Sequence, residues 1–425
     1  MTRALALIDG EHYAPVIKDC LEALPYDFVG AYLLGGTEKL KGGDDYGVAV
    51  HDDLEAALDE LEPDVVLDLS DEPVLTPRTR FQVASRVLAR GIPYEGADFR
   101  FDPPALQRFE LPSLSIAGLG KRVGKTTVTG YTSRLLSRER DVVIVTMGRG
   151  GPAEPRLADE RPTVASLLEL SRSGAHAASD YLELAAVSGA VTIGCRRCGG
   201  GLAGDVAYSN VAAGAALAAA RSPDIVVFDG SGAALPPVAT DRRMLVAPAH
   251  LDAGMLTGYL NRYRILVSDL VLLTMAEEGS DWPALKRAVG EVKEEIPVVA
   301  AVLRPRPLES IEGERVALFT TAPEPIHERQ AAHLREEHGA DVVLVSGNLS
   351  RRDALREDLE RADADVLLTE IKGAAIDVVA ETGDRRGTKV VFCDNDLLPL
   401  PGEPNLDREL EALAEEAVAA RAAAR

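Results

Sequence analysis

Short runs of apolar residues, rich in valine, isoleucine and leucine, recur along the chain, and a longer segment with helical periodicity follows most of them. The runs are continuous rather than alternating with polar residues, which is typical of strands buried on both faces of a parallel sheet. The predicted strands cover residues 4–9, 65–70, 113–118, 141–146, 224–229, 269–274, 297–303, 315–320, 341–345, 365–370 and 388–393. Because strands and helices alternate, the sequence predicts an α/β fold with a mostly parallel sheet.

The strand at 113–118 runs into the segment GLGKRVGKTT, and a helical pattern follows it. This strand–loop–helix order is the context of a phosphate-binding loop (P-loop), in which backbone N–H groups at a helix N-terminus surround the phosphates. From Gly118 to Gly124 the spacing is one residue longer than G-x-x-x-x-G-K-[ST]. This longer loop resembles that of dethiobiotin synthetase and its relatives, a branch with many ATP-dependent ligases. The predicted nucleotide contacts are Gly118, Gly120, Lys121, Arg122, Val123, Gly124, Lys125, Thr126 and Thr127.

Two proline-rich stretches, 99–113 and 302–316, interrupt the alternation of strands and helices. Such stretches are typical of domain boundaries. We therefore predict an N-terminal Rossmann-like α/β domain at 1–108, a P-loop nucleotide-binding domain at 109–304 and a C-terminal α/β segment at 305–425. The last segment could instead extend the central sheet.

Within the loop, Lys125 is expected to neutralise the β- and γ-phosphates and the Thr126 hydroxyl to ligate Mg²⁺. Lys121 and Arg122 allow two interpretations. They are solvent-exposed cations, or they face the transferred γ-phosphate or an anionic acceptor.

Two further strand ends carry candidate groups. Asp229 ends the strand at 224–229, where P-loop proteins hold a second Mg²⁺ ligand, usually through water; the alternative is a cap on the next turn. Arg149 follows the strand at 141–146 among glycines, at the edge where open α/β sheets bind ligands, and a guanidinium there can grip a phosphate. An arginine on a flexible turn is the equally weighted alternative.

The segment CRRCGGGLAGD starts at residue 195 and combines two arginines with a glycine run. Arg196 and Arg197 beside a backbone that can form an N–H nest around Gly200 favour an anion site over a bare turn. A zinc site ranks third, since Cys195 and Cys198 have no second ligand pair. The role of these cysteines stays open.

Two more residues follow predicted strands. Lys372 comes just after the strand at 365–370 and either reaches the same cleft or pairs with Glu370 or Asp377 on the surface. His12 follows the first strand, so it is a candidate substrate contact or a feature of the helix start.

The composition limits the partners. The formal net charge is −22, with 46 Lys and Arg against 68 Asp and Glu, so binding to nucleic acid or to an anionic membrane is not expected. An anionic substrate therefore needs a local basic cluster. No apolar run reaches the roughly 18 residues of a membrane helix, and Asp9 and Glu11 interrupt the N-terminal apolar run too early for a signal peptide. A cytoplasmic protein is the expectation.

Taken together, these segments resemble the cyclic 2,3-diphosphoglycerate synthetase family. The resemblance rests on IDGEHYAPV, GLGKRVGKTTVTGY, CRRCGGGLAGD, DGSGAALPPV and LTEIKGAAIDVVAE, which span nearly the whole chain. The combination is far more specific than the loop alone. One departure is Asp229, where a glutamate would be expected in relatives; either acid can support Mg²⁺.

The resemblance implies that ATP and Mg²⁺ are used to close 2,3-diphosphoglycerate into its cyclic phosphoanhydride, with release of ADP and phosphate. The catalytic residues would be Lys121, Lys125, Arg149 and Asp229. The substrate contacts would be Arg122, Arg149, Arg196, Arg197, Gly200, Lys372 and His12. A homodimer is expected, and a need for K⁺ is left open. Two alternatives stay open: another P-loop ligase or kinase acting on a small anionic metabolite, and a P-loop switch or metallochaperone.

Overall fold

The computed structural model describes residues 1–35 and 45–424. Its first sheet has the order β3-β2-β1-β4-β5-β6, parallel except for β6. The strands are β1 Thr2–Ile8, β2 Tyr26–Leu33, β3 Val50–His51, β4 Val65–Asp68, β5 Tyr94–Glu95 and β6 Arg100–Phe101. The helices are α1 Ala14–Ala23, α2 Leu54–Leu61 and α3 Pro77–Ala89. Thr76 caps α3 and Asp53 caps α2, each accepting a hydrogen bond from a first-turn N–H group.

The central part of the chain forms most of a second, larger sheet. Its strands, with the small pair of β7 and β14, are β7 Gln107–Arg108, β8 Ser113–Gly118, β9 Val142–Gly148, β10 Arg156–Ala158, β11 Val191–Cys198, β12 Tyr208–Ser209, β13 Ile225–Asp229, β14 Val238–Ala239, β15 Arg242–Pro248, β16 Leu270–Thr274 and β17 Val298–Pro307. The helices are α4 Lys125–Leu136, α5 Val164–Arg172, α6 Asp180–Ser188, α7 Val211–Ala220, α8 Ala253–Thr257, α9 Asn261–Leu266 and α10 Trp282–Val292.

The rest of the chain continues the same sheet. Its strands are β18 Arg315–Phe319, β19 Asp341–Ser346, β20 Val366–Glu370 and β21 Lys389–Pro399. Its helices are a 3₁₀ turn at Glu324–Ile326, α11 His327–His338, α12 Arg352–Arg361, a π-helical segment at Ala375–Ala380, α13 Glu381–Arg386 and α14 Leu406–Ala423. The order across the sheet is β10-β11-β9-β13-β8-β15-β16-β17-β21-β20-β18-β19. The fold is therefore α/β with mostly parallel strands, as predicted.

Strand β17 joins the two parts of this sheet. It pairs in parallel with β16 through residues 298–300 and then antiparallel with β21 through residues 301–307. Beyond Ala301 it has β21 as its paired neighbour, so Pro305 can face the side without a ladder and does not break the strand. The proline-rich stretch at 302–316 thus begins inside a strand.

This reversal sets the direction of the last strands. Strand β21 runs antiparallel to β17, and β20 and β18 run parallel to β21. The carboxyl ends of β18 and β20 consequently point back toward the carboxyl ends of β8, β13 and β16. Two carboxyl edges therefore face each other across one cleft, and such edges are where open α/β sheets bind ligands.

Packing fixes the two edges in place. Leu168 and Leu182, from α5 and α6, share a core cluster with Phe319 and Val379 of the C-terminal part. The last helix, α14, returns to the central part, where Leu410 packs in the same cluster as Ile116 of β8. The walls of the cleft thus share buried apolar surface.

Candidate active site

The phosphate-binding loop lies between the end of β8 at Gly118 and the start of α4 at Lys125. A Cβ atom at Gly118 would lie 2.9 Å from Val123 Cγ2 and 3.1 Å from the carbonyl oxygen of Gly232, so a larger residue does not fit there. The Thr274 hydroxyl at the end of β16 donates a hydrogen bond of 2.7 Å to the Val123 carbonyl. The loop is therefore held at its first residue and again just before the helix.

Lys125 and Asp229 meet at the base of this loop. Lys125 Nζ lies 2.5 Å from Asp229 Oδ1, which also accepts from the Thr129 hydroxyl at 2.6 Å. Asp229 Oδ2 accepts from the Thr146 hydroxyl at 2.9 Å. Asp229 is buried, so these donors compensate its charge in the absence of water. Sequence reasoning missed Thr129 and Thr146, although Thr146 ends a predicted strand and pairs in register with Asp229.

Two predicted arginines converge on one glycine. A Cβ atom at Gly232 would lie 2.8 Å from Arg149 Nη2 and 3.6 Å from Arg197 Nη2. Arg197 donates to the carbonyl oxygens of Ser231 and Gly199, at 2.8 and 2.7 Å. Within residues 1–35 and 45–424, neither guanidinium forms an ion pair with a carboxylate. Burial and the charge of Arg149 both lower the pKa of Arg197. Like charges held this close favour an anion between them.

The neighbours of Arg197 lie on the same segment. The Arg196 guanidinium is 5.9 Å from the centre of the Tyr208 ring, and its backbone N–H donates to Asn210. Gly200 lies beside Arg197 Nη1. Both arginines are on the last residues of β11 rather than in a turn, because β12 and β9 pair with this end of the strand.

A cleft of about 1940 Å³ separates the two facing edges. Arg149 and Lys372 line it from opposite parts of the chain, as do Gly230 and Gly373. The loop residues that line it are Gly120, Lys121, Arg122, Val123, Gly124, Lys125, Thr126 and Thr127. The structure thus brings most of the predicted nucleotide contacts together with Arg149 and Lys372. Arg197 adjoins this wall through its hydrogen bond to the Ser231 carbonyl and its approach to Gly232. Arg196, Arg197 and Gly200 themselves do not line the cleft among the described residues.

Acidic groups that the sequence analysis did not single out also line the cleft. Asp180 starts α6, and Glu183 follows one turn later; burial raises the pKa of Asp180 and raises that of Glu183 to about 8. Lys372 Nζ lies 3.3 Å from Glu183 Oε1. Burial lowers the pKa of Lys372, but the surrounding carboxylates, Glu183 first, outweigh it and raise the pKa overall. The side chain of Lys372 is therefore charged and fixed at the cleft wall.

His12 lies elsewhere, at the carboxyl end of β1 in the N-terminal sheet. Its Nδ1 atom is 2.8 Å from Asp9 Oδ1, and its Nε2 atom is 3.4 Å from Asp71 Oδ2. His12 does not line the cleft among the residues that the structure describes. Its contact with a substrate stays a prediction.

The predicted magnesium ligands can be tested against this geometry. Thr126 opens onto the cleft, while both oxygens of Asp229 already accept hydrogen bonds from protein donors. This donor set fits an ion that keeps several waters and takes further oxygens from phosphates, as Mg²⁺ does. A closed metal cage is not present among the described residues. Asp229 would accordingly act through water.

Family models match three successive parts of the chain. They describe the N-terminal domain, the P-loop domain and the C-terminal domain of cyclic 2,3-diphosphoglycerate synthetase, over residues 3–102, 113–303 and 307–396. The chain belongs to this family. Relatives that carry the name include proteins from Rubrobacter xylanophilus, 51% identical over 97% of both chains, and Thermococcus kodakarensis, 41% identical over 94% of this chain and 95% of that one. A relative from Methanothermus fervidus is 39% identical over 92% of both.

A solved structure of LpxK from Aquifex aeolicus in complex with ATP covers 74% of this chain and 90% of its own, with 14% identity and a TM-score of 0.42. In the part of the chain that the structure describes, the helices are too short or too polar to cross a membrane.

Proposed function

We propose that the protein uses ATP to close 2,3-diphosphoglycerate into cyclic 2,3-diphosphoglycerate. The observation that carries the proposal is the phosphate-binding loop facing a second carboxyl edge. On the wall of the cleft between them lie Lys121, Arg122 and Arg149, which form no ion pair with any residue that the structure describes. A substrate with two phosphates and a carboxylate needs such a concentration of positive charge. The name carried by its relatives supports the same reaction.

The proposed chemistry has two steps. The γ-phosphoryl group of ATP passes to one phosphate of the substrate, so that ADP leaves. An oxygen of the other substrate phosphate then attacks the activated phosphorus, and inorganic phosphate is expelled as the phosphoanhydride ring closes. No water is consumed, and no side chain forms a covalent bond.

The residues of the loop have distinct parts in this scheme. Lys125 would leave its ion pair with Asp229 and bind the β- and γ-phosphates instead. Lys121 would offset the negative charge of the transferred phosphoryl group. Thr126 and, through water, Asp229 would hold Mg²⁺, which supplies charge neutralisation on the phosphates. The pairing of Lys125 with Asp229 supports this assignment, because both partners sit where the phosphates would enter.

Arg149 and Arg197 would hold the two substrate phosphates near each other, which offsets their repulsion and aligns the attack. Arg196 and Gly200 belong to the same proposal as neighbours of Arg197. Arg122 and Lys372 complete the set of proposed contacts that line the cleft. The contact of His12 with a substrate stays a prediction outside this scheme, because His12 does not line the cleft among the described residues. The proposal extends to a cytoplasmic homodimer that uses ATP and Mg²⁺ and takes no nucleic acid as partner; a need for K⁺ stays untested.

Phosphorus NMR tests the reaction. The protein is incubated with ATP, Mg²⁺ and 2,3-diphosphoglycerate, and upfield anhydride resonances are expected to appear together with ADP and phosphate. A matched incubation with 3-phosphoglycerate, which has one phosphate and cannot close a ring, should give no such product. ATP turnover without new anhydride resonances, beyond those of ATP and ADP themselves, would refute the cyclisation and favour another ligase or kinase. A phosphoenzyme trapped with radiolabelled ATP would refute direct transfer.

A further inference from the structure

The helix that follows the phosphate-binding loop is tied at its far end to strand β21. Arg134, in the last turn of α4, donates through Nη1 to Asp394 Oδ2 at 3.1 Å and through Nη2 to Asp396 Oδ1 at 2.7 Å. A guanidinium is a rigid, planar set of donors, so one that bridges two carboxylates allows little sliding between the elements that carry them. The end of α4 is therefore fixed in position along β21.

A second arginine completes this cluster from β17. Arg306 lies opposite Asp394 in the register of β17 and β21. Its Nη2 atom donates to Asp394 Oδ2 at 3.3 Å and to the Val187 carbonyl oxygen of α6 at 3.1 Å, and its Nε atom lies 3.4 Å from Asp396 Oδ1. The cluster of Arg134, Arg306, Asp394 and Asp396 thus joins α4, α6, β17 and β21.

Burial makes the cluster sensitive to the loss of either arginine. The side chain of Asp394 is 5% exposed, and those of Arg134 and Arg306 are 25% and 20% exposed. Burial raises the pKa of Asp394, and Arg306 and Arg134 are among the groups that act against this rise. Without one of them the buried carboxylate is less well compensated, so we expect the elements around it to shift.

The same segment of β21 reaches the cleft. Asn395, between the two aspartates, projects to the other face of the strand and lines the cleft. Cys393, one residue before Asp394, pairs in register with Glu370 at the carboxyl end of β20. A shift of β21 against α4 would therefore move the C-terminal wall of the cleft relative to Lys125, the first residue of α4.

Apolar packing between the two walls does not by itself set their relative position. The hydrophobic effect is non-directional and scales with the area removed from water, so a small slide of one wall costs little. The bridge from Arg134 to two carboxylates instead requires one arrangement of helix and strand. Arg134 itself does not line the cleft among the described residues.

We infer that Arg134 is a positioning residue for the reaction, which acts through Asp394 and Asp396 to hold the phosphate-binding loop and the C-terminal wall in the alignment that phosphoryl transfer and ring closure need. ATP is expected at the loop alone, so its affinity should not depend on this alignment. The rate should depend on it, because a misplacement of about 1 Å can cost about 100-fold. The inference rests on the proposed function and adds to it a residue that lies outside the cleft.

Turnover and ligand binding of the full-length protein separate positioning from stability. Nucleotide-binding sites are counted by titration with a non-hydrolysable ATP analogue, and turnover with saturating ATP and 2,3-diphosphoglycerate is expressed per site. Arg134→Gln is expected to lower this turnover about 10–100-fold, with affinity for the analogue within about 3-fold of wild type. A purely structural role would reduce the number of sites and leave the turnover per site unchanged.

Two further variants sharpen the comparison. Arg134→Lys keeps the charge beside Asp394 but cannot bridge both carboxylates, so its turnover should lie between those of wild type and Arg134→Gln. It also keeps the test open if Arg134→Gln does not fold. Arg138→Gln is the matched control and should match wild type, since Arg138 follows α4, is 67% exposed and lies 3.9 Å from the Asp407 carboxylate.

Two results would overturn the inference. Turnover of Arg134→Gln within about 2-fold of wild type per site would leave Arg134 with a structural role only. A loss of analogue affinity as large as the loss of turnover would confine its effect to the phosphate-binding loop. If wild-type protein forms anhydride while Arg134→Gln turns over normally, only this inference fails. If wild-type protein forms no anhydride from 2,3-diphosphoglycerate, the proposed function fails and the inference fails with it.

Discussion

The carboxyl edges of the N-terminal sheet and of the P-loop sheet both carry charged residues at strand ends, but they use them differently. In the N-terminal sheet, Asp9 accepts from the N–H groups of Glu11, His12 and Asp71, at 3.0, 3.1 and 2.7 Å. These donors hold the pKa of Asp9 below its usual value although burial raises it. The Asp9 carboxylate at this edge is therefore bound by the loops of its own sheet.

The neighbouring strand end of the same sheet behaves in the same way. Asp68 at the end of β4 accepts from Arg80 Nε at 2.7 Å and from the Tyr94 hydroxyl at 2.5 Å. At the P-loop edge, by contrast, Arg149 and Arg197 have no acidic partner in the described part of the chain. A strand-end position therefore predicts where a charge lies, whereas its hydrogen-bond partners decide whether that charge is free to bind a ligand.

The largest effect is expected at the P-loop edge itself. Lys125→Met should lower turnover by about 10²–10³-fold, because the transferred phosphoryl group loses a preorganised positive charge. Steady-state release of ADP with saturating ATP and 2,3-diphosphoglycerate measures it. Lys389→Met is the control, a surface lysine close to Glu309. A loss of turnover below about 3-fold would mean that Lys125 stabilises buried Asp229 and does not bind the phosphates.

Lys121 should show a smaller and more selective effect. It is exposed at the cleft and makes no ion pair with a described residue, so Lys121→Gln should reduce turnover about 10-fold and alter ATP affinity less than about 3-fold. Turnover and equilibrium binding of a non-hydrolysable ATP analogue are compared. Equal losses in both would assign Lys121 to the nucleotide alone.

Within the N-terminal network the expected effect is on stability. Tyr94→Phe removes a hydroxyl donor from buried Asp68 and should lower the free energy of unfolding by about 1–2 kcal/mol without changing turnover. Urea denaturation measures this, with Tyr13→Phe, at an exposed tyrosine, as the control. A fall in turnover at unchanged stability would show that this edge also takes part in catalysis.

A pH-dependent effect is expected at Glu183. Burial raises its pKa from 4.5 to about 8, so the stability that it contributes is present below about pH 4.5 and is lost as the pH rises through 8. Glu183→Gln lacks this titration. The free energy of unfolding of wild type should therefore fall relative to that of the variant between about pH 5 and pH 8. If the free energies of unfolding of wild type and variant instead change in parallel with pH, Glu183 is charged in the folded protein throughout this range.

The smallest effect is expected at His12. His12→Asn keeps a short polar side chain next to Asp9, so turnover and the KM for 2,3-diphosphoglycerate should change less than about 3-fold. A larger rise in KM with kcat preserved would bring the N-terminal edge into contact with the substrate, and the two edges would no longer differ in use.

Several strands escaped the sequence analysis for a common reason. Strands β2, β11 and β15 contain YDFVGAYL, VTIGCRRC and RRMLVAP, in which glycine or charged residues break the apolar run. Neighbouring strands override these local signals, since β11 pairs on both sides and β15 lies between β8 and β16. Arg196 and Arg197 were accordingly expected beside a turn and lie in a strand.

The sequence by itself determined the α/β class, the phosphate-binding loop and the strand-end position of Asp229, because apolar periodicity and glycine spacing are local properties of the chain. Only the tertiary structure decided that β17 and β21 turn the last strands back, so that Gln330, Asn348 and Arg351 face Lys125 across one cleft. It also decided that His12 is bound to Asp9, while Arg149 forms no ion pair within the described part of the chain. Such outcomes depend on which distant residues meet, and no local pattern records them.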